Sequence, residues 1–435
     1  MSRLTRKGGI ALLVLLMALV LGGCGPQLAE GGWAAFTADS SAVYVGLPTG
    51  KFTKIVVDAE TQKPVKKWEY PEKDSERLAG FYGAPVLEQG LVIFGASDSL
   101  GGVHKVYALD ATTGKEKWIY PPAPAATQAQ ASLLDEILSL PDKVAALFGG
   151  GKDTRAEVAV PGPRDPIVGD LVVHEGTVYV TSADGHVYAF DLQTQQLRWR
   201  PFAAGRAIWG NVVRDGDKLF FGSMDHAVYA LSAKDGTELW RFPARGDTTK
   251  EVGAIAGTPT VAGGTVYVGD LGSKFHAISA ADGRETWTFD GVRGWIWGQP
   301  ALLDGKLYFG SLGGRVYALD ARTGEMVWPA PFVTKGAVRA GPVVAQGVVI
   351  DGVSHDVLYV ASEDHHLYAL DAVKGTSVWF NADKSERSFD AGAPLLTTPV
   401  VVNDTVYVTT SDGRVFAVDA KTGAERWVYP QPAKK

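Results

Sequence analysis

The chain carries one thiol, Cys24. With no second cysteine it can form no internal disulfide, and a covalent modification of that single sulfur is the chemistry left to it. Other reactive types are scattered. The eight histidines show no H-E-x-x-H or comparable ligand spacing, so no metal site is expected. His186, His226, His276, His365 and His366 fall in or beside turns of separate segments, where a solvated turn residue is the ordinary role. No G-x-S-x-G nucleophile elbow occurs. Asp184-Gly185 and Asp412-Gly413 read as hairpin turns before they read as acids. Gly149-Gly150-Gly151-Lys152 imitates a phosphate loop, but Asp153 stands where a Ser or Thr belongs and no buried strand precedes it. No catalytic set can be assembled, and aromatic residues are left as the candidates for a site.

The surroundings of Cys24 are more specific. Arg3, Arg6 and Lys7 precede an apolar run, Ile10 to Leu21, that is short for a bilayer span and ends in Leu21-Gly22-Gly23-Cys24. This resembles a bacterial lipoprotein signal. The resemblance implies cleavage before Cys24 and a diacylglyceryl group on its sulfur, with residues 1–23 removed, 24–32 as a lipidated tether and 33–435 as the folded body. Each buried CH₂ of an acyl chain contributes about 0.8 kcal/mol, so several chains would hold the protein to a bacterial membrane, on its periplasmic side or at the cell surface. Losing three basic residues with the signal takes the formal charge from −6 to −9. An acidic chain of this kind gives no hint of nucleic-acid binding.

The elements that must position any site come from a repeat. Trp68, Trp118, Trp199, Trp240, Trp287, Trp328, Trp379 and Trp427 each close a stretch reading roughly V-Y-A-L-D-A-x-T-G-x-x-x-W, at intervals of 50, 81, 41, 47, 41, 51 and 48 residues. Within one unit, Ile208 to Arg214, Lys218 to Gly222, Ala227 to Ser232 and Thr237 to Phe242 read as four β-runs broken by Gly or Asp. Alternation as in Val228-Tyr229-Ala230-Leu231 sends neighbouring side chains to opposite faces. A four-stranded sheet cannot bury both faces alone, whereas sheets stacked radially cover one another. The spacing therefore predicts an all-β, eight-bladed β-propeller of four-stranded antiparallel blades. The Ala of the motif is expected to leave room for a neighbouring indole, and the Thr-Gly or Asp-Gly to make the following turn. Unit one is the poorest copy, with Val56 in place of Ala and Trp68 ten residues after Asp58. No split blade is visible, so the sequence leaves ring closure open. A WD40 array would show Gly-His and Trp-Asp marks, and an α-solenoid would lack the two-residue period.

These motifs resemble the PQQ-like repeat, the tryptophan-docking unit of quinoprotein dehydrogenases. Together with the Cys24 signal, the stretch from about Trp33 to Pro430 is similar to the BamB family, the propeller lipoproteins of outer-membrane β-barrel assembly. That resemblance implies a membrane-tethered, non-catalytic scaffold that binds other envelope proteins. Gly25 is not the aspartate associated with inner-membrane retention in enterobacteria, which is compatible with an outer membrane. A single disc needs no second copy, so a monomer is expected.

The 81-residue interval holds an insertion over 121–165, between blades 2 and 3. Leu133, Leu134, Ile137 and Leu138 form a helical stripe, and Pro141 opens a second short helix with Val144, Leu147 and Phe148. It is expected on the face bearing the crossovers between blades, either folded back on the wheel or offered to a partner or membrane.

Aligned on the inner strands, one column reads Trp33, Tyr82, Val168, Trp209, Ala256, Trp297, Arg339 and Leu396. Inner strands line the axis, so four aromatics and an arginine are expected at one channel mouth. They could plug it, or they could present a stacking platform for a planar ligand or a partner's side chain. Quinoprotein enzymes hold PQQ on a tryptophan floor with adjacent cysteines, calcium and an aspartate base. Trp209 and Trp297 could imitate the floor, but the cysteine pair is absent and no metal set is recognisable, so neither PQQ nor calcium is expected. A small-molecule-binding or sensing propeller is the alternative to the scaffold, and a PQQ-dependent dehydrogenase a more distant one.

Overall fold

The computed structural model describes residues 32–430 except 74, 99–103, 122–161, 382 and 384. Eight antiparallel sheets follow one another along the chain. In blade 4 the strands are Val213–Asp215, Lys218–Ser223, Ala227–Ser232 and Glu238–Phe242, hydrogen-bonded in sequence order. The other blades repeat this plan, and blade 2 adds a short fifth strand, Leu78–Ala79, against Ala96-side residues Ser97 and Asp98. The inner strand of blade 4 is shorter than the run read from the sequence. Residues 208–212 approach the axis without joining the ladder, although Ile208 and Val212 are fully buried.

The second and third strands are apolar on both faces because neighbouring blades cover both. Buried side chains form eight clusters, and each joins two adjacent blades. One of them closes the ring: Phe36, Val43, Val45 and Ile55 of blade 1 pack against Val415, Ala417 and Trp427 of blade 8. Both blades keep all four of their own strands. The ring thus closes by side-chain packing, with no strand exchanged, which settles the point the sequence left open.

The docking indoles work differently from the expectation in one respect. The motif Ala faces the Trp of its own blade across the ladder, as in Ala230↔Trp240 and Ala417↔Trp427. The neighbour's indole instead lies on the turn glycine. A Cβ on Gly375 would stand 2.5 Å from Trp328 Cδ2, and Gly236, Gly283, Gly324 and Gly423 meet Trp199, Trp240, Trp287 and Trp379 in the same way. Each turn glycine is there for a positive φ and for an indole face at once. The indole N–H then donates to a carbonyl of that next blade: Trp240 to Ala280 at 3.1 Å, Trp287 to Ala321 at 3.1 Å, Trp328 to Ala372 at 3.0 Å and Trp379 to Ala420 at 3.0 Å.

Blade 1 corrects the sequence alignment. Its hairpin is longer, and Lys54, not Val56, stands opposite Trp68. Lys54 Nζ donates to Ala111 O at 2.8 Å, the carbonyl that Trp68 approaches at 3.4 Å. The outer strands also divide into two kinds. Where Pro comes three residues after the Trp, as at Pro71, Pro121, Pro243 and Pro430, the strand runs on past the indole. Pro201 and Pro329 come sooner and remove ladder donors. There the chain keeps only bridges such as Phe190↔Leu197 and Leu319↔Met326, then re-pairs as Phe202–Ala203 and Phe332–Val333.

Antiparallel meanders fix the two faces of the wheel. The crossovers between blades and the turns joining second to third strands share one face, here the mouth face. The first hairpin turns and the Thr-Gly turns share the other. The predicted helices of 121–165, Gly149-Gly150-Gly151-Lys152 and Cys24 lie outside the described residues. Their flanks do not: Pro121 and Gly162 are side by side at the mouth-face end of blade 2, where a Cβ on Gly162 would stand 2.7 Å from the Pro121 ring.

Candidate functional site: the axial cavity

Each crossover delivers one short segment to the axis just before its inner strand. All eight residues of the sequence column, Trp33, Tyr82, Val168, Trp209, Ala256, Trp297, Arg339 and Leu396, line a single cavity of about 300 Å³. The aromatic ones touch across it. Trp297 stacks on Trp209 with centroids 5.3 Å apart and planes 27° apart, and meets Trp33 edge-on at 6.3 Å. Trp33 in turn meets Tyr82 edge-on at 5.3 Å. The Arg339 guanidinium lies 4.7 Å from the Trp297 ring, while its Nε donates to Glu363 at 2.9 Å. Cation–π contact and ion pair together fix a side chain that would otherwise swing freely over the mouth. The rings therefore close much of the axis on themselves, and Trp297, only 8% exposed, is the centre of the contacts.

Sequence reasoning missed the layer beneath. The residue after five of the eight column members is glycine, at Gly83, Gly169, Gly210, Gly257 and Gly298, and these glycines bring adjacent crossovers into backbone contact. A Cβ on Gly169 would stand 2.7 Å from Gly210 O, and one on Gly210 the same distance from Gly257. The next residue is often polar and ties crossover to crossover. Ala84 N–H donates to Asp170 Oδ1 at 2.6 Å, and Asp170 N–H donates to Asn211 Oδ1 at 2.6 Å. Asn211 Nδ2 returns a bond to Asp170 Oδ2 at 2.9 Å, and its own N–H donates to Thr258 at 2.9 Å. Burial pushes the Asp170 carboxyl up from its ordinary range, against these two hydrogen bonds that favour the anion. Burial likewise raises the Tyr82 phenol. The recurring x-Gly-polar triplets, Val168-Gly169-Asp170, Trp209-Gly210-Asn211, Ala256-Gly257-Thr258 and Trp297-Gly298-Gln299, were the available signal.

The arrangement offers aromatic faces, amide and hydroxyl groups and one carboxylate. Asp170 is the one acid among the residues lining the cavity, and both its oxygens are already bonded. A calcium ion takes 6–8 oxygen ligands, carboxylates among them. Trp209 and Trp297 stack on each other, which leaves no slot between them for a planar ring system. The residues present do not fit a quinone with its calcium.

The histidines lie on separate blades or turns, and His276, read from the sequence as a turn residue, departs from the solvated role. His276 is 1% exposed on the third strand of blade 5. Its Nδ1 lies 2.9 Å from Glu285 Oε1 and its Nε2 3.3 Å from Asp270 Oδ2. It occupies the strand position that holds Tyr188, Tyr229 and Tyr368 in blades 3, 4 and 7, each bonded to an aspartate of the preceding turn. Among the described residues no group of three or more His, Cys, Asp or Glu is arranged to hold a metal.

Fold and hub together define the class: an eight-bladed β-propeller locked by tryptophan docking, with its axis largely filled by its own aromatic side chains. The family model described as outer membrane protein assembly factor BamB matches residues 25–206, 157–268, 201–294 and 276–435, and the chain belongs to that family. Among solved structures, the computationally designed Ika8 protein superposes with a TM-score of 0.62 at 15% identity, covering 89% of this chain and 96% of that one. BamB from Moraxella catarrhalis superposes with a TM-score of 0.50 at 18% identity, covering 78% and 83%. At these identities the two likenesses speak for the fold. A curated relative, 1-butanol dehydrogenase (quinone) of Thauera butanivorans, is 29% identical over 121 residues, which are 25% of this chain and 17% of that enzyme. The chain thus spans less than a fifth of that relative's length.

Proposed function

We propose that the protein is a non-catalytic scaffold, tethered through lipidated Cys24, that binds other envelope proteins during outer-membrane protein assembly. The observation that carries this reading is the family match, which runs from residue 25 to residue 435. A wheel sealed by eight interblade clusters is a rigid body that presents loops and edge strands to partners with little ordering cost. Affinity purification from detergent-solubilised membranes tests it. β-Barrel assembly proteins should co-purify, and their absence after mild cross-linking would count against the scaffold. Cys24→Ala should move the protein out of the membrane fraction.

The hub supports a second reading, a small-molecule-binding propeller, because about 300 Å³ remains beside the stacked rings and Asp170. Ligand screening by thermal shift should then give hits that Trp209→Ala and Trp297→Ala abolish. Hits unaffected in both variants would exclude the hub as the site. Reconstitution with calcium and PQQ, followed by dye-linked alcohol oxidation, checks the enzyme reading directly, and no turnover is expected.

A further inference from the structure

The chain enters the wheel at the hub of the mouth face. Gly32 bridges to Phe81, Trp33 N–H donates to Phe81 O at 2.9 Å, and the Trp33 ring sits in the axial cavity. Only residues 25–31 separate this point from Cys24. Eight residue steps span at most about 26–29 Å. To put the opposite face against a bilayer, the tether would have to travel out along a blade and down its side. Crossing four strands takes about 14 Å, before the hub radius is added, and the depth of a five- or six-residue strand takes about 17–20 Å more. The tether is too short for that route, and the rings of Trp33, Trp209 and Trp297 obstruct the axis.

The mouth face has a matching surface chemistry along blades 4 to 7. Trp295, in the crossover between blades 5 and 6, is 42% exposed, and Val333 is 59% exposed. Arg206, Arg293 and Lys335 lie on three crossovers of this face, all exposed, and none has an ion-pair partner among the described residues. The turn acids nearby are bound inward: Asp225 to Tyr229, Asp270 to the Gly253 and Lys274 amides, and Asp364 to Tyr368 and the Lys335 amide. Exposed Asp247, Glu251 and Asp290, with Asp383, Glu386 and Asp390 where the chain leaves blade 7, are the acids that oppose this pattern. A chain of negative formal charge therefore shows unpaired cations and an amphipathic indole on the face nearest its tether. Tryptophan suits the headgroup level, and each basic residue near an anionic surface adds to the attraction.

We propose that the mouth face docks on the anionic surface of the bilayer through Arg206, Arg293, Trp295 and Lys335, with the Thr-Gly turns pointing away from it. This rests on the lipid tether of the preceding section. The test uses the full chain, acylated in a bacterial host and reconstituted in vesicles of phosphatidylcholine mixed with phosphatidylglycerol. A fluorophore is placed at Val333→Cys on the mouth face or at Asp351→Cys on a first hairpin turn of the opposite face, and headgroup spin-labelled lipid acts as quencher. Quenching should be severalfold stronger at position 333 than at 351. Combined Arg206→Glu, Arg293→Glu and Lys335→Glu should lower it at 333 on anionic vesicles and leave it unchanged on pure phosphatidylcholine. Equal or stronger quenching at 351 would overturn the orientation while leaving the tether intact. Charge reversal without effect would overturn the basic contact. A mature protein whose mass shows no acyl groups would instead remove the tether itself.

Discussion

Two single residues separate the repeat's ideal from its actual copies. Trp199 fills the docking position of blade 3, but its Nε1 is buried with no hydrogen-bond partner among the described residues. Trp379 donates to Ala420 O at 3.0 Å. Leaving a buried donor unmet costs about 1–3 kcal/mol, and a satisfied bond contributes about 0.5–1.5 kcal/mol net. Trp199→Phe should therefore lose less stability than Trp379→Phe in urea unfolding, and equal losses would mean that the Trp199 N–H is satisfied in solution. His276 gives a second residue-scale expectation. Although burial opposes its charge, hydrogen bonds and attraction from Asp270 and Glu285 hold its pKa above the ordinary value. Glu285 is correspondingly pulled down to about 2 by His276, Lys250 and Thr288 against its desolvation, and Asp270 is lowered as well. Lys250 pairs with Glu285, Lys274 lies across the turn, and the Phe242 ring packs on the imidazole. A raised folded-state pKa adds stability that is complete below the unfolded value of about 6.5 and disappears as pH rises through the folded one. The lowered acids add stability that is complete above about 4.5 and is lost as pH falls toward 2. The advantage of the native protein over His276→Gln in melting temperature should be largest between those two values and shrink toward alkaline pH. A pH-independent difference would show that the imidazole is not charged in the fold.

At the scale of elements, the turn between third and outer strands is the joint that holds one blade to the next. Gly375 has φ +72° and an indole where its Cβ would go, whereas Gly246 has φ +82° and nothing within 4 Å. Ala at Gly246 meets only the left-handed backbone penalty of about 1–2 kcal/mol, while Ala at Gly375 adds overpacking of about 1–3 kcal/mol. The difference between the two variants in denaturant midpoint measures the docking contact by itself. These joints were legible in the sequence because the Trp, the turn glycine and the two-residue alternation recur in each unit, and eight sheets followed directly from them. The axial column was legible too, since counting back from an inner strand lands on the same layer in every blade. What escaped depended on neighbours far away in sequence. Val56 looked like the missing Ala because counting from Asp58 ignores a longer hairpin. The glycine girdle was hidden because Gly169 and Gly210 are 41 residues apart and nothing local says that their backbones touch. His276 looked like a turn residue because only the folded blade sets Glu285 beside it.

At the scale of the whole molecule, seven interblade seams are tied by a covalent crossover and the eighth is held by the Phe36–Val415–Trp427 cluster. An opening at that seam breaks packing without breaking a sheet, so it should need less free energy than opening elsewhere. Hydrogen exchange should find amides of Val43–Leu47 and Val415–Asp419 less protected than those of Lys218–Ser223 and Ala227–Ser232. Equal protection would mean that the wheel opens as one unit. The same closure has a consequence for engineering. Because every blade is built from consecutive residues, Pro430 could be joined to Gly32 by a linker as long as the natural 243–259 crossover, with new termini cut within that crossover. Such a circular permutant would keep all eight sheets and move only the place at which the ring is unlinked.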